Sequence, residues 1–358
     1  PIPHGRRRVV IDRVYPHIDC GKFAVKRVEG DDISVEADAF ADGHDAVRIV
    51  LRYRKAGGRW RETEMQALGN DRYRASFHVA EAGRYEYSVC GWIDHFRTWQ
   101  DGLAKKHAAG VETDVDLLIG ADLVEAAARR AEEAGAASGS KRAERGRDDG
   151  ADARRLREIE NVLRDQTKLH GERTRYAESE ELTRLMDAYP DRSLQSDYPR
   201  TLSVTVDRER AAFSAWYEMF PRSTSPEPGE HGTFSDLMNR LDYIAELGFD
   251  IVYLPPIHPI GHTKRKGKNN ALEAGPRDPG SPWAIGSEEG GHKAIHPELG
   301  SLEDFKALVE AAKTYGMEVA LDIAFQCSPD HPWVKNHPEW FVMRPDGTVQ
   351  FAENPPKK

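Results

Sequence analysis

Between Lys264 and Lys268 four of five residues are cationic (Lys264, Arg265, Lys266 and Lys268), and Asn269-Asn270 follow directly. The whole chain carries 51 Lys and Arg against 60 Asp and Glu, a net charge of −9, so this cluster needs a local reason. Ammonium, guanidinium and amide donors grouped this closely suit an anion such as a phosphate group. A solvated basic turn is the other reading, and the residues leave both open. Asp322 sits inside the apolar run Met317–Phe325. A carboxylate there is costly unless it is paired or hydrogen-bonded, so Asp322 belongs either to a site or to a structural ion pair. Gln326 and Asp330, just beyond it, have the polar character of a site for sugar hydroxyls.

Other chemistries read as negative. His292-Lys293-Ala294-Ile295-His296 places two histidines four apart, but Lys293 stands where a zinc peptidase needs its Glu base. No glycine-rich dinucleotide fingerprint follows a strand, and there is no P-loop. No nucleophile elbow appears, although a Ser–His–Asp triad stays open. Cys20, Cys90 and Cys327 are too few and scattered for a disulfide framework or a thiolate metal site. They read as reduced thiols of a cytoplasmic protein. The acidic balance argues against general nucleic-acid binding. No apolar run nears the ~18 residues of a membrane span, and no apolar segment follows the basic Pro1–Val10 stretch as it would in a secretory signal. No cofactor and no metal are expected.

The elements that would position these residues change along the chain. From Arg8 to about Gly110, apolar and polar residues alternate: Val47, Ile49, Leu51 and Tyr53 on one face, then Tyr73, Ala75, Phe77 and Val79, then Tyr85, Tyr87 and Val89. Turn residues such as Gly57-Gly58 and Gly69-Asn70-Asp71 separate them. This predicts an immunoglobulin-like antiparallel β-sandwich over 1–114. Trp92, Phe96 and Trp99 read as core, with a sugar-stacking surface as the alternative. Helical spacing predicts a helical insertion over 115–190, with the Ala-, Gly- and charge-rich Glu132–Ala153 as a mobile connection or frayed helix. Leu202, Val204 and Val206 alternate again, a strand returning to the sandwich within 191–210. From 211 to 358 the order strand (Phe213–Phe220), helix (Thr233–Leu247), strand (Phe249–Pro255), helix from Ser301, strand (Met317–Phe325) predicts parallel strands. The last strand reads as buried on both faces. Catalytic loops then lie at the carboxyl ends of the strands, and the long Pro255–Gly300 loop is the first suspect.

At these loops the sequence resembles the α-amylase superfamily of (β/α)8-barrel enzymes. Gly248-Phe249-Asp250-Ile251-Val252-Tyr253-Leu254-Pro255-Pro256 and Leu321-Asp322-Ile323-Ala324-Phe325 carry the likeness. Gln326 and Cys327 replace the Asn-His pair usual after the Asp. That departure fits the bacterial α-1,4-glucan:maltose-1-phosphate maltosyltransferases, a family also resembled by Ala215–Arg222, Arg265-Lys266-Gly267, Pro282–Ser287, Gln326–Trp333 and Ala352–Lys358. The resemblance implies transfer of a maltosyl unit from α-maltose 1-phosphate to the non-reducing end of an α-1,4-glucan, with retention. It implies that Lys266 and Gln326 line the donor sugar and phosphate, that Asn354 and Lys357 lie on the phosphate side, that Ser281 sits beside the pocket, and that Asp322 supports the site. It also implies a homodimer through the sandwich and helical region.

The same resemblance places the nucleophile Asp, the acid/base Glu and a third carboxylate beyond Lys358. The last segment, 211–358, is then the first part of a (β/α)8 TIM barrel of about three strands, and this chain alone is expected to be inactive, with strands one and three as exposed edges. The alternatives are a glucan hydrolase or branching enzyme of the same superfamily, and a non-catalytic glucan-binding or assembly module.

Overall fold

Strands with one buried face open the chain. In the computed structural model, which describes residues 5–111, 113–138 and 148–350, contacts divide the protein into Pro1–Ala212 and Phe213–Lys358. The first unit holds β1 (Val10–Tyr15), β2 (Val25–Val28), β3 (Asp32–Phe40), β4 (Val47–Lys55), β5 (Arg61–Glu64), β6 (Gln66–Gly69), β7 (Arg72–His78), β8 (Gly83–Ile93), β9 (Ser196–Asp197) and β10 (Leu202–Asp207). Among the described residues one sheet runs β1-β3-β7-β6 and the other β2-β10-β8-β4-β5, with β9 joined to β8. Ile33, Val35, Ile49, Leu51, Phe77, Tyr87, Val89, Leu202 and Val204 share one buried core. The period-two pattern puts these residues on the inner faces. One pairing departs from the antiparallel expectation: β10 runs parallel to β2, with Val204 opposite Val25. Parallel pairing needs a long crossover, and the chain between β2 and β10 supplies one.

Helix begins earlier than periodicity over 115–190 suggests. α1 covers His95–Ala108, and the Asp94 carboxylate caps it by accepting the Arg97 N–H at 3.0 Å. α2 (Asp114–Ser138), α3 (Asp149–Arg164), α4 (His170–Ala177) and α5 (Glu180–Ala188) follow. The expected frayed connection is helical through Ser138 and again from Asp149; the rest of it, 139–147, lies outside the described residues. Trp92, Phe96 and Trp99 are all buried, so they pack as core and offer no sugar-stacking face. Trp99 lies so close to Gly120 that a Cβ there would approach its ring to 2.0 Å, and its Nε1–H donates to Asp116 O at 2.8 Å.

The second unit is α/β. β11 (Trp216–Glu218), β12 (Ile251–Leu254) and β13 (Glu318–Leu321) pair in parallel in that order. The expected helix Thr233–Leu247 is two helices, α6 (Phe234–Met238) and α7 (Leu241–Glu246). Arg240 N–H bonds Leu237 O at 2.9 Å, a tighter i→i+3 turn. The apolar stripe survives this break, since Phe234, Leu237, Leu241 and Ile244 are buried against Val252, Leu254, Leu308 and Ala312. α8 (Leu302–Thr314) opens on a complete capping box between Ser301 and Asp304.

The third strand stops at Leu321, four residues short of its apolar run. Asp322 N–H donates to Leu254 O at 2.9 Å; then Pro255 and Pro256 offer no N–H, and the ladder ends. The run is not buried on both faces as expected. Ile323 and Phe325 are exposed, Phe325 by 84 %, because among the described residues β13 has a neighbour only in β12. No helix among the described residues is long and apolar enough to cross a membrane.

Candidate functional site

The loops at the carboxyl ends of β12 and β13 close on one another through backbone bonds. Gly261 N–H donates to Ala284 O at 2.8 Å, Gly286 N–H to Pro259 O at 3.0 Å and Ser328 N–H to Ile285 O at 2.7 Å. Ile260 and Cys327 bridge Ile285 from its two sides, and Ile260 and Ile285 are buried. The long loop is therefore an ordered clasp built on Ile285. Close backbone approach requires glycine here: a Cβ on Gly261 would meet Ser328 Cβ and Oγ at 2.1 Å.

This clasp frames a cleft of about 470 Å³, lined by Lys266, Ser281, Trp283, Gln326, Cys327 and Ser328, with Met343, Thr348, Val349 and Gln350 on the far wall. Three residues implicated by the sequence, Lys266, Ser281 and Gln326, thus share one cavity. Asp322 does not line it. Its carboxylate accepts the Trp283 Nε1–H at 2.7 Å, and the Trp283 indole meets Phe220 edge-on at 5.8 Å. Among the described residues Asp322 makes no ion pair and does not line the cleft; it holds the tryptophan that walls it. Asn354 and Lys357 lie outside the described residues.

The basic cluster divides by task. Arg265 spends its guanidinium on the loop itself, donating to Gly261 O at 2.9 Å and Ile260 O at 2.8 Å. Lys266 Nζ donates to Asn270 Oδ1 at 2.6 Å, while Asn269 and Asn270 turn the chain with positive φ, a conformation asparagine tolerates. Lys266 thus lines the cleft, tethered among the described residues by one neutral acceptor. Arg222, half-buried, donates to Gly280 O at 2.8 Å, and desolvation holds its pKa below the usual arginine range. Burial pushes the Cys327 thiol up to about 11, which favours the protonated form at neutral pH.

Two further groups shape the walls: Asp330, whose polar character the sequence flagged but whose task is to hold loop amides, and a turn that reading the sequence passed over. Asp330 Oδ2 accepts the His262 N–H at 2.6 Å and the Thr263 N–H at 2.9 Å. Burial disfavours its charge, but the Thr263 and His262 amides outweigh this and lower its pKa. The second group is the turn behind Met343 and Val349, where Arg344 N–H bonds Thr348 O at 2.7 Å. Arg344-Pro345-Asp346-Gly347-Thr348 carries a turn signature that could have located it.

Under the clasp His292, His331 and Trp333 stack, with the His292 and Trp333 rings 4.8 Å apart and parallel within 3°. His331 Nδ1 accepts the Trp333 N–H at 3.0 Å. Its Nε2 meets His292 Nδ1 at 2.9 Å and is also approached by the His292 backbone N–H at 3.3 Å. His292 Nε2–H in turn donates to Ala324 O at 2.6 Å. The chain of bonds ties the loop after β13 to the loop before α8. His292 and His296 belong to separate side-chain clusters, as the missing zinc-peptidase glutamate suggests.

Comparison with known proteins agrees with this architecture. Residues 7–208 match the family described as alpha-1,4-glucan:maltose-1-phosphate maltosyltransferase, domain N/S, and residues 188–355 match the alpha amylase catalytic domain. Proteins named alpha-1,4-glucan:maltose-1-phosphate maltosyltransferase are similar along almost the whole chain. That of Chlorobaculum tepidum is 54% identical over 99% of this chain and 50% of its own length. That of Methylacidiphilum infernorum is 49% identical over 99% and 50%, and that of Myxococcus xanthus 50% identical over 98% and 51%. The chain spans about half the length of the curated relatives it matches.

Proposed function

Because this chain belongs to the alpha-1,4-glucan:maltose-1-phosphate maltosyltransferase family, we propose that it supplies the donor-side half of an enzyme moving a maltosyl unit from α-maltose 1-phosphate to the non-reducing end of an α-1,4-glucan, with release of phosphate. The observation that carries this reading is the meeting of Lys266, Ser281 and Gln326 in one cleft at the strand ends. In this reading the Lys266 ammonium and the Gln326 amide face the sugar phosphate. As the glycosidic C–O bond breaks, charge builds on the phosphate oxygens, and fixed donors stabilise it. The Trp283 indole, held by Asp322, gives an apolar wall against which a sugar face stacks. Retention requires two carboxyl groups about 5 Å apart; the resemblance puts them beyond Lys358, so we assign no catalytic acid or nucleophile to 1–358 and expect this chain alone not to turn over. Unpaired Cys20, Cys90 and Cys327 suit a cytoplasmic enzyme, and the family resemblance supports a homodimer through 1–212.

The test is a chimera of residues 1–358 and the second half of one of the curated relatives, assayed for phosphate release from α-maltose 1-phosphate with glycogen. We expect turnover in the chimera and none in 1–358. Lys266→Ala should lower kcat/KM by roughly 10- to 100-fold, the loss of one charge-assisted bond. A folded chimera that ignores the sugar phosphate, or is indifferent to Lys266→Ala, overturns the assignment.

A further inference from the structure

His231, in the loop between β11 and α6, and His296, in the loop before α8, face one another with ring centroids 5.5 Å apart. Glu298 follows two residues after His296. One ligand atom from each of the three lies within 4.8 Å of the others, and none of the three lines the cleft. The His231 Nδ1 contacts Gly232 O at 2.8 Å. Only an N–H makes that contact, so Nδ1 carries the proton and Nε2 presents a lone pair. A backbone carbonyl on the far nitrogen is the support that orients a metal-binding histidine.

His296 is equally well held. Its backbone N–H donates to Ile257 O at 2.8 Å, and its side chain is only 11% exposed. Metal binding takes the lone pair of a neutral imidazole, and the two rings face one another closely enough to offer one each. His296 Nδ1 accepts only a long bond from the Glu298 N–H, at 3.3 Å. Its Nε2 stands 3.9 Å from Glu298 Oε2, on a carboxylate 61% exposed and able to swing. The His258–His292–His331 cluster offers a contrast. There the ring nitrogens of His292 and His331 are all engaged in the chain of hydrogen bonds.

We propose that His231, His296 and Glu298 form a binding site for a divalent transition-metal ion of the zinc type, with a fourth position left to water. Two imidazoles and a carboxylate are a zinc ligand set. Bonds of about 2.1 Å in tetrahedral geometry space ligands by about 3.4 Å, so the triangle closes by shifts of about 1 Å. The exposed Glu298 supplies most of that movement. The ion would pin the loop after β11 to the loop that enters α8. This inference is independent of the transferase reading.

The test uses the tag-free 358-residue chain, stripped with EDTA and titrated with zinc against a chromophoric chelator. We expect one zinc per chain, and with cobalt(II) the intense visible bands of a four-coordinate site. His231→Ala and His296→Ala should each weaken zinc binding by about a hundredfold or more, and Glu298→Gln by about tenfold. His292→Ala should leave it unchanged. Glu298→Gln decides the matter if a histidine variant fails to fold, because its side chain is exposed and its loss leaves the core intact. Failure to take up zinc, or undiminished affinity in Glu298→Gln with a native circular dichroism spectrum, overturns the site. So does loss of binding in His292→Ala alone.

Discussion

Asp330→Ala removes the carboxylate that receives two backbone N–H groups, from His262 and Thr263, at 2.6 and 2.9 Å. Bonds to a charged acceptor contribute about 1.5–3 kcal/mol each. His262 and Thr263 are exposed, so water partly replaces the lost acceptor and the total falls to about 2–4 kcal/mol. For a unit the size of 213–358 this lowers Tm by roughly 6–15 °C. The effect is pH-dependent with a definite sign. Asp330 has a folded pKa below its unfolded value of about 3.9. Its contribution is therefore fully present above that value and is lost as pH falls through the folded pKa. Asp330→Asn keeps a carbonyl acceptor without charge and should lose about half as much, ~1–2 kcal/mol. Thermal melts followed by circular dichroism from neutral to acid pH measure both variants. The gap from wild type should narrow at the acid end. An Asp330→Ala protein melting within about 1 °C of wild type at neutral pH would refute the reasoning, as would a gap that ignores pH.

Burial pushes the His331 imidazole down to about 4, below its unfolded value of about 6.5. The stability it confers is present above about pH 6.5 and lost as pH falls towards 4, up to ~3 kcal/mol; comparing melts of His331→Asn across that window should show the slope removed. Gly261→Ala puts a Cβ 2.1 Å from Ser328, which should cost about 1–3 kcal/mol by overpacking, read as a lowered urea midpoint. Arg173 is fully buried, donating to Leu163 O at 3.1 and 2.8 Å and to Asp114 at 2.7 Å. Arg173→Ala strands the Leu163 carbonyl and should cost about 3–5 kcal/mol, measured in the same titration. Trp283→Phe removes the bond to Asp322 and should raise KM for the sugar phosphate in the chimera with little change in melting.

Local pattern carried much of the architecture. Alternation at Ile33–Val35, Ile49–Leu51 and Leu202–Val206 marks the sandwich core because a strand shows one face every second residue. The Ser301–Asp304 capping box and Gly248 and Gly316 in the left-handed region mark helix ends by chemistry confined to one turn. The basic run at Lys264–Lys268 and Gln326 were visible as residue types, whereas Ser281 came only from the family resemblance. The start of α1 is encoded in the helical spacing of Phe96, Trp99 and Leu103, which directly adjoins the alternation of the preceding strand and blurs the boundary between them.

Partnership between distant residues was decided only in three dimensions. That Arg265 is spent on loop carbonyls while Lys266 is bonded to Asn270 depends on where Gly261 and Ile260 come to lie, not on the identity of the two cations. That Asp322 holds Trp283, and that β13 ends at Leu321, follow from what stands beside them: an indole nitrogen, and two prolines with no N–H to give. His231 and His296 have nothing in common in sequence until two loops bring their rings together. A chain dictates locally which groups are available and which conformations are cheap; which group satisfies which is set by close packing, because each buried donor and acceptor must find its partner wherever the fold has put one.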